Sequence, residues 1–181
     1  MQNSVSRPST AVDELIARDQ ILDVLHRYCH SCDRSDAERL ATCFHPDSIT
    51  DHAGVQINSQ EWIPHALGWL ADRVAVTHMI ANPMIQVAGD RAISDCHFVA
   101  YNRSPKASGD GWEETLVKGR YLDRFERREG VWKIIHRIGV HDLERVVDAP
   151  ANGNDVAGDH RSGKAPNDPF YALLAAFQAG R

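Results

Sequence analysis

Two side chains of the sequence, Asp33 and His78, are of the types that form an acid–base pair. Asp33 comes at the end of a stripe of apolar residues with helical spacing, so its carboxylate would lie at the inner edge of a buried face. His78 has apolar neighbours in a stretch whose pattern predicts a β-strand. A carboxylate that binds one imidazole nitrogen fixes the tautomer and raises the basicity of the other nitrogen. Such a pair would remove a proton from carbon or from water without a nucleophile.

Both residues also have an ordinary structural explanation. An aspartate in a short connection between two helices is often a turn former that faces solvent. A histidine in a buried strand can be satisfied by a backbone carbonyl group of the core. The residue types alone leave these alternatives open, so the distance between Asp33 and His78 is the deciding observation.

Tyr28 and Arg137 are candidates to assist the pair. Tyr28 belongs to the apolar stripe that ends at Asp33, and its phenol could donate a hydrogen bond or a proton. Arg137 lies on the last predicted strand, where an inward guanidinium group would stabilise a developing anion. Alternation along that strand places apolar and basic residues on both faces, so the direction of Arg137 stays open. An outward Arg137 would be an ordinary surface charge.

Further residues are weaker candidates. His97 and Tyr101 share one face of a predicted strand, and they could line the same pocket or face solvent. On the next strand, residues 117, 119, 121, 123 and 125 share one face, and Tyr121 among them could also line the pocket. The ten histidines show no diagnostic ligand spacing, so neither a metal nor a cofactor is expected. Cys29 and Cys32 form a C-x-x-C pair near a helix C-terminus, where the helix dipole disfavours a thiolate, so we interpret them as core residues.

The composition indicates an ordinary globular protein. Of its 181 residues 43% are hydrophobic and 25% are charged, and the formal net charge is -5. An acidic chain with scattered Lys and Arg residues lacks the basic face that nucleic acids bind. The sequence has no apolar run long enough to cross a bilayer and no signal-peptide pattern at its start. We therefore expect no nucleic acid or membrane partner, and a cytoplasmic location with reduced thiols.

Helices come first in the predicted order of elements, and hairpin-connected strands follow. Capping signals predict helices after Thr10, Ser35 and Asn58. From Ala75 onward the hydrophobic period changes to two, which predicts a long strand broken by Pro83 and then further strands. Three N-terminal helices packed on a curved, mostly antiparallel sheet form an α+β fold, and such a sheet would enclose a cone-shaped pocket.

The same patterns divide the chain into three segments. Residues 1–9 are polar and predict a flexible leader, and residues 10–142 hold the helices and strands of one α+β domain. Residues 143–181 are largely rich in Gly, Asn, Asp and Pro, which predicts a tail that is mostly loop, with a short helix near its end. We expect the last strand to end near His141, and the tail to cover a sheet edge or a neighbouring subunit.

Several stretches together resemble the SnoaL-like branch of the nuclear transport factor 2-like superfamily. The stretches that carry the resemblance are residues 28–36, 40–47, 77–78 and 119–134, and the likeness extends over about residues 12–142. The resemblance implies an α+β cone that assembles as a homodimer or homotrimer.

Within that superfamily the sequence is similar to the group of scytalone dehydratase, hexachlorocyclohexane dehydrochlorinase and bile-acid 7α-dehydratase. Asp33 and His78 stand where this group has an Asp-His base, and Tyr28 and Arg137 stand where members have a tyrosine and an arginine. The resemblance implies a cofactor-free lyase, of the dehydratase type, that removes a proton from a small hydrophobic substrate such as a ring compound. An isomerase, a polyketide cyclase-type enzyme and a non-catalytic small-molecule-binding protein are alternatives, because one scaffold supports all of them.

Overall fold

The structure is a computed structural model of the chain, and it describes residues 10–52, 54–150 and 161–180. The leader expected over residues 1–9 lies outside the described residues. The helices and strands are, in chain order, α1 (Ala11–Asp33), α2 (Ala37–Ala41), β1 (Phe44–His52), β2 (Val55–Asn58), α3 (Ser59–Trp69), β3 (Ala75–Ala88), β4 (Arg91–Pro105), β5 (Trp112–Arg128), β6 (Val131–Ala149) and α4 (Pro169–Ala179).

One six-stranded sheet, in the order β2-β1-β6-β5-β4-β3, forms the centre of the fold. Neighbouring strands are antiparallel except β1 and β6, which run parallel because three consecutive hairpin connections bring β6 back beside β1. α1 packs against β3 and α3 against β1, and the face that these helices cover is called the inner face below. The α+β prediction is confirmed. The three predicted N-terminal helices are α1, α2 and α3, and α4 in the tail brings the described helices to four. The mostly antiparallel sheet is mixed, because it contains the parallel pair of β1 and β6.

The apolar stripe predicted for the first helix is the buried face of α1. Its predicted members all belong to the hydrophobic core: Ile21, Leu25, Tyr28 and Cys32. Thr10 caps the helix in the expected way, in a reciprocal capping box with Asp13. At α2 the prediction was wrong by one residue. Asp36 is the cap, because its carboxylate accepts the backbone N–H of Arg39 at 2.9 Å, while Ser35 adopts a left-handed φ of 49°.

A β-bulge keeps β3 continuous where the sequence predicted a break. The pairing with β4 shifts between Ala81 and Met84, and Asn82 has a left-handed φ of 53°. Pro83 therefore lies in the bulge, where the missing N–H of proline costs no ladder hydrogen bond. Ile80 before the bulge and Ile85 after it both face the core, so the bulge keeps apolar residues on the inner face of both parts of β3.

A second β-bulge, at Ile135 of β6, decides the direction of Arg137. Ile134 and His136 pair with two consecutive residues of β5, so Ile135 is the extra residue. Trp132 and Ile134 are buried before the bulge, and Arg137 is buried after it. An extra residue exchanges the two faces for everything that follows. The question that alternation left open is thereby answered, and Arg137 points inward.

β6 continues past His141, where its end was predicted, to Ala149. Its last residues pair with residues 112–118 of β5, and this two-stranded ribbon is exposed over most of the β6 side. α4 is the short helix that the sequence predicted near the end of the tail. None of the helices in the described ranges combines the length and the apolar character that crossing a membrane requires.

Candidate active site

Asp33 and His78 lie together where the end of α1 meets β3. Asp33 is the last residue of α1, and the ring of His78 points from β3 towards it. Nδ1 of His78 is 2.6 Å from Oδ1 of Asp33. The backbone N–H of His78 donates to the same carboxylate, with its nitrogen 2.9 Å from Oδ1 and 3.1 Å from Oδ2. The structure therefore brings together the two residues that the sequence paired.

The edge position of β3 explains why a carboxylate can bind its backbone. β3 is an edge strand of the sheet, so every second N–H group points away from β4 and has no strand partner. The N–H of His78 is one of these groups, and Asp33 supplies the acceptor that a neighbouring strand would otherwise provide. Because Asp33 binds both the backbone and the ring of one residue, it fixes the orientation of the imidazole.

The hydrogen bond to Asp33 also determines which nitrogen of His78 is basic. An ionised carboxylate only accepts hydrogen bonds, so the proton between the two groups belongs to Nδ1. In the neutral ring Nε2 then carries the free lone pair. No residue within the described ranges binds Nε2, and the side chain is 12% exposed. His78 thus presents an unpaired basic nitrogen that is not sealed from solvent.

A cavity of about 350 Å³ lies against Asp33. The end of α1 and the C-terminal segment, which we define as residues 161–180, form its walls. The residues that line it are His30, Asp33, Arg34, Arg161, Ser162, Asp168 and Pro169. This lining is polar and charged, in contrast to the apolar pocket that the sequence predicted. Its volume falls in the range of small-molecule sites, about 300–1,000 Å³.

Arg137 is a fully buried cation beneath the inner face. Its Nε and Nη2 donate to the two carboxylate oxygens of Asp123, each at 2.7 Å, and both side chains have zero exposure. The guanidinium carbon lies 3.9 Å from the ring centre of Tyr28 and 4.2 Å from that of Tyr121. Burial opposes the charge of Arg137, but Asp123 outweighs it and holds the pKa of the guanidinium above its usual value. No residue in the described part of the chain accepts from Nη1.

Sequence reasoning missed the role of Asp123. It placed Asp123 on one strand face with Tyr121, but it proposed no partner for either carboxylate oxygen. The position of Asp123 on that face could have indicated its role, because a carboxylate on the buried face of a strand must be paired. Only the bulge in β6 brings Arg137 opposite Asp123, where the two residues are a pair of the antiparallel ladder.

Tyr28 is enclosed by aromatic rings rather than open to a pocket. Its side chain is only 2% exposed, and its ring contacts those of Phe44, Trp62 and Tyr121 at centroid distances of 6.0, 6.2 and 5.5 Å. Burial raises the pKa of the phenol well above its usual value, so the hydroxyl stays protonated and remains a donor. Tyr121, the other tyrosine of this cluster, is equally enclosed on the inner face.

His97 and Tyr101 lie on the opposite side of the sheet. In β4 the even-numbered residues Phe98 and Ala100 are buried on the inner face, and alternation turns His97 and Tyr101 to the outer face. The structure therefore does not bring these two candidates to Asp33 and His78. Of the three residues considered as pocket lining, Tyr121 is the one on the inner side.

Cys29 lies close enough to both Arg137 and Asp33 for their charges to act on its thiol. Burial raises the pKa of its thiol to about 12, while Arg137 lowers it and Asp33 raises it further. Cys32 is buried as well, and its pKa is also raised by burial. Neither cysteine forms a disulfide, and both are buried as protonated thiols. The interpretation of the C-x-x-C pair as core residues is therefore confirmed.

His52 and Trp62 form a second polar group near Arg137 that the sequence did not reveal. Their rings stack with centroids 4.7 Å apart and an interplanar angle of 9°. A Cβ atom at Gly139 would lie 2.8 Å from Nδ1 of His52, so glycine is needed there for the ring to fit. Burial, with the positive charge of Arg137 next in importance, lowers the pKa of His52 to about 4. His52 is therefore neutral, and no described residue binds its Nε2 or the indole N–H of Trp62.

No three His, Cys, Asp or Glu side chains of the described residues come close enough together to hold a metal ion.

A curved six-stranded sheet covered by an N-terminal helix, with Asp33 and His78 at its edge, defines a cone-shaped α+β protein of the nuclear transport factor 2-like class. The family model described as a SnoaL-like domain matches residues 13–138, and the chain belongs to that family. A search of curated proteins finds no match.

Solved structures of the same fold cover most of the chain. A type 2 hexachlorocyclohexane dehydrochlorinase is 18% identical, with a TM-score of 0.70 over 82% of this chain and 100% of that chain. A protein assigned as a scytalone dehydratase, from Novosphingobium aromaticivorans, is 17% identical, with a TM-score of 0.67 over 82% and 99%. A protein of unknown function from Mycobacterium tuberculosis is 24% identical, with a TM-score of 0.62 over 96% and 94%. At these identities the similarity establishes the shared fold.

Proposed function

We propose that the chain is a cofactor-independent lyase in which Nε2 of His78 removes a proton from a carbon atom of the substrate. The observation that carries this proposal is the 2.6 Å contact between Nδ1 of His78 and Oδ1 of Asp33, which leaves Nε2 as the unpaired basic nitrogen. A carboxylate in this position keeps the tautomer and stabilises the imidazolium that forms. The structural relatives named as a dehydrochlorinase and a dehydratase support an elimination.

The proposed reaction is an elimination. Nε2 of His78 takes a proton from a carbon next to an electron-withdrawing group, and the electrons of that C–H bond form a C=C bond. The leaving group departs from the adjacent carbon with its own bonding pair. When it leaves as hydroxide, the proton on Nε2 of His78 passes to it and water is released, while the Tyr28 hydroxyl donates a hydrogen bond to the departing oxygen. Nη1 of Arg137 stabilises the negative charge, since it has two N–H groups without an acceptor in the described structure.

The proposed substrate is a small, largely hydrophobic molecule with one polar acceptor group. We propose that it binds in the cavity of about 350 Å³ that lies against Asp33, the hydrogen-bond partner of His78. The four free, buried cysteines fit the reduced thiols of the cytoplasmic location that the sequence predicts.

An isomerase is the second candidate, because Arg137 is equally suited to it. An unpaired Nη1 would stabilise an enolate just as well as a charge on a leaving group. The same base would then return its proton to another carbon. Product analysis separates the two reactions, because only the lyase releases water or another leaving group.

We further propose that copies of the chain assemble through the outer face of the sheet. Met84 and Ile93 on that face are 66% and 50% exposed, and Leu122 and Ile138 lie half-buried beside them around a groove of about 340 Å³. Neighbouring exposed apolar side chains on a monomer surface mark an interaction site. A second copy fits this surface because a two-fold axis would place the same apolar residues opposite each other.

The base assignment is tested by substitution and product analysis. We expect His78→Ala and Asp33→Asn each to lower kcat by about 100-fold or more, the range of a lost general base, on a panel of apolar β-hydroxy ketones. Mass spectrometry would detect the loss of water, and thermal unfolding would show that the fold remains. His97→Ala is the matched control, since this histidine lies on the outer face. Retained turnover in both variants would exclude the mechanism.

A further inference from the structure

The C-terminal segment returns to the end of α1 and binds the residues that surround Asp33. The ring of Phe170 lies 4.5 Å from that of His30, and the hydroxyl of Tyr171 donates to the carboxylate of Asp36 at 2.7 Å. The backbone N–H of Ala165 donates to the carbonyl of Arg34, also at 2.7 Å. The connection between α1 and α2, which carries Asp33, is thus held from outside by residues far away in sequence.

Arg34 is the residue in which these contacts meet. Its Nη1 donates to Oδ2 of Asp168 at 2.7 Å, and its Nη2 is 3.3 Å from the carbonyl oxygen of Val76. Arg34 directly follows Asp33, and Val76 precedes His78 by two residues on β3. One guanidinium group therefore joins three parts of the chain: the end of α1, the strand that carries His78, and the C-terminal segment.

Asp168 is built into this contact rather than lying loosely on the surface. Besides Arg34, its carboxylate accepts the backbone N–H groups of Gly163 and Phe170, at 2.8 and 3.0 Å. The side chains of Arg34 and Asp168 are 14% and 10% exposed. Burial acts to raise the pKa of Asp168, but the three donors outweigh it and the pKa lies below its usual value. Asp168 therefore stays ionised and keeps its bond with Arg34 near neutral pH.

Asp33 needs such support because its own position is unfavourable for a carboxylate. It is the last residue of α1, and the C-terminal end of a helix carries a partial negative charge that repels an anion. The next residues turn sharply, with Ser35 at a left-handed φ of 49°. The bonds from His78 hold the carboxylate from one side, and the position of the backbone at Arg34 determines whether it can reach them.

We propose that the Arg34–Asp168 ion pair positions Asp33 against His78, so that the C-terminal segment is part of the active-site machinery. Arg34 and Asp168 are positioning residues that act through Asp33. The geometric part of this inference stands on the contacts alone, and its catalytic meaning rests on the proposed function of His78.

The backbone N–H of His78 provides the test, because its hydrogen bond goes to Asp33 and to no strand. In Asp168→Asn we expect the amide hydrogen exchange of His78, followed by NMR, to become at least tenfold faster. The Nδ1 proton signal of His78 should shift upfield or broaden as its bond to Asp33 lengthens. The amides of β3 that pair with β4 are the internal reference, and their exchange should stay unchanged.

Two further variants complete the experiment. Asp47→Asn removes an exposed ion pair with Arg128 and is the matched control, for which no change at His78 is expected. Arg34→Lys keeps the charge but cannot bind Asp168 and Val76 together, so we expect intermediate exchange at His78. Unchanged exchange and an unchanged Nδ1 signal in both Asp168→Asn and Arg34→Lys would overturn the inference, as would an equal acceleration along all of β3.

The outcome does not depend on the proposed reaction. If His78 is the base, Asp168→Asn should also lower kcat by about tenfold with little change in KM. If the NMR changes appear but no substrate is turned over by the wild type, the positioning stands and the function fails. If turnover is found but the NMR signals of His78 do not change, the function stands and the positioning fails.

Discussion

His52 is a side chain whose charge differs between the folded and unfolded chain over a defined pH range. The ordinary pKa of 6.5 applies when the chain is unfolded, whereas burial and Arg137 lower the folded value to about 4. Between these two values the unfolded state binds a proton that the folded state does not bind. Folding stability must then fall as the pH is lowered.

We expect urea unfolding to measure this dependence of stability on pH. The free energy of unfolding should fall from pH 7 to pH 5. His52 should account for on the order of 1–2 kcal/mol of that fall. His52→Asn should remove that contribution and flatten the pH dependence, while His97→Asn on the outer face should leave the pH dependence as it is. An equally steep pH dependence in His52→Asn would contradict the assignment.

At the scale of elements, the pairing of β5 with β6 depends on a glycine, Gly119, at which a side chain would not fit. A Cβ atom at Gly119 of β5 would lie 2.0 Å from the carbonyl oxygen of Val140 and 2.9 Å from the ring of Phe98. The pairing of β5 with β6 shifts directly at this residue. Gly119 therefore allows the close backbone approach that curves the sheet around α1.

The same substitution at two glycines should have opposite effects. Gly119→Ala should lower the free energy of unfolding by about 1–3 kcal/mol or more, because backbone atoms would have to move. Gly68→Ala, in α3, meets open space and should raise it by roughly 0.5–1 kcal/mol, since alanine favours a helix. Chemical denaturation measures both. A neutral Gly119→Ala would show that the sheet relaxes more easily than the structure implies.

At the scale of the whole molecule, the proposed assembly through the outer face predicts a change of oligomeric state. Ile93→Lys would place a charge in the groove that Ile93 lines together with Met84, Leu122 and Ile138. We expect the wild type to sediment as a dimer and Ile93→Lys as a monomer with an unchanged circular dichroism spectrum. Val12→Lys, at an exposed apolar position of α1, is the control. A monomeric wild type would refute the assembly.

The sequence by itself determined most of the helices and strands, because these depend on local pattern. The stripe from Ile21 to Cys32 fixed which face of α1 is buried, because a 3.6-residue period has one apolar side. The residues 117, 119, 121, 123 and 125 were predicted to share a strand face, and the buried ones among them all lie on the inner side. The types of Asp33 and His78 were enough to suggest a pair, since each needs a partner when buried.

Only the tertiary structure decided which residues meet. The bulge at Ile135 turned Arg137 inward to Asp123, and alternation in a sequence carries no sign of an extra residue in a strand. The faces of His97 and Tyr101 depended in the same way on which side of β4 the helices cover. The contact between Arg34 and Asp168 joins residues far apart in the chain, and local propensity contains no information about such pairs. Local pattern determines secondary structure, but a site is built from distant segments whose contacts exist only after the sheet has curved and the chain has returned across it.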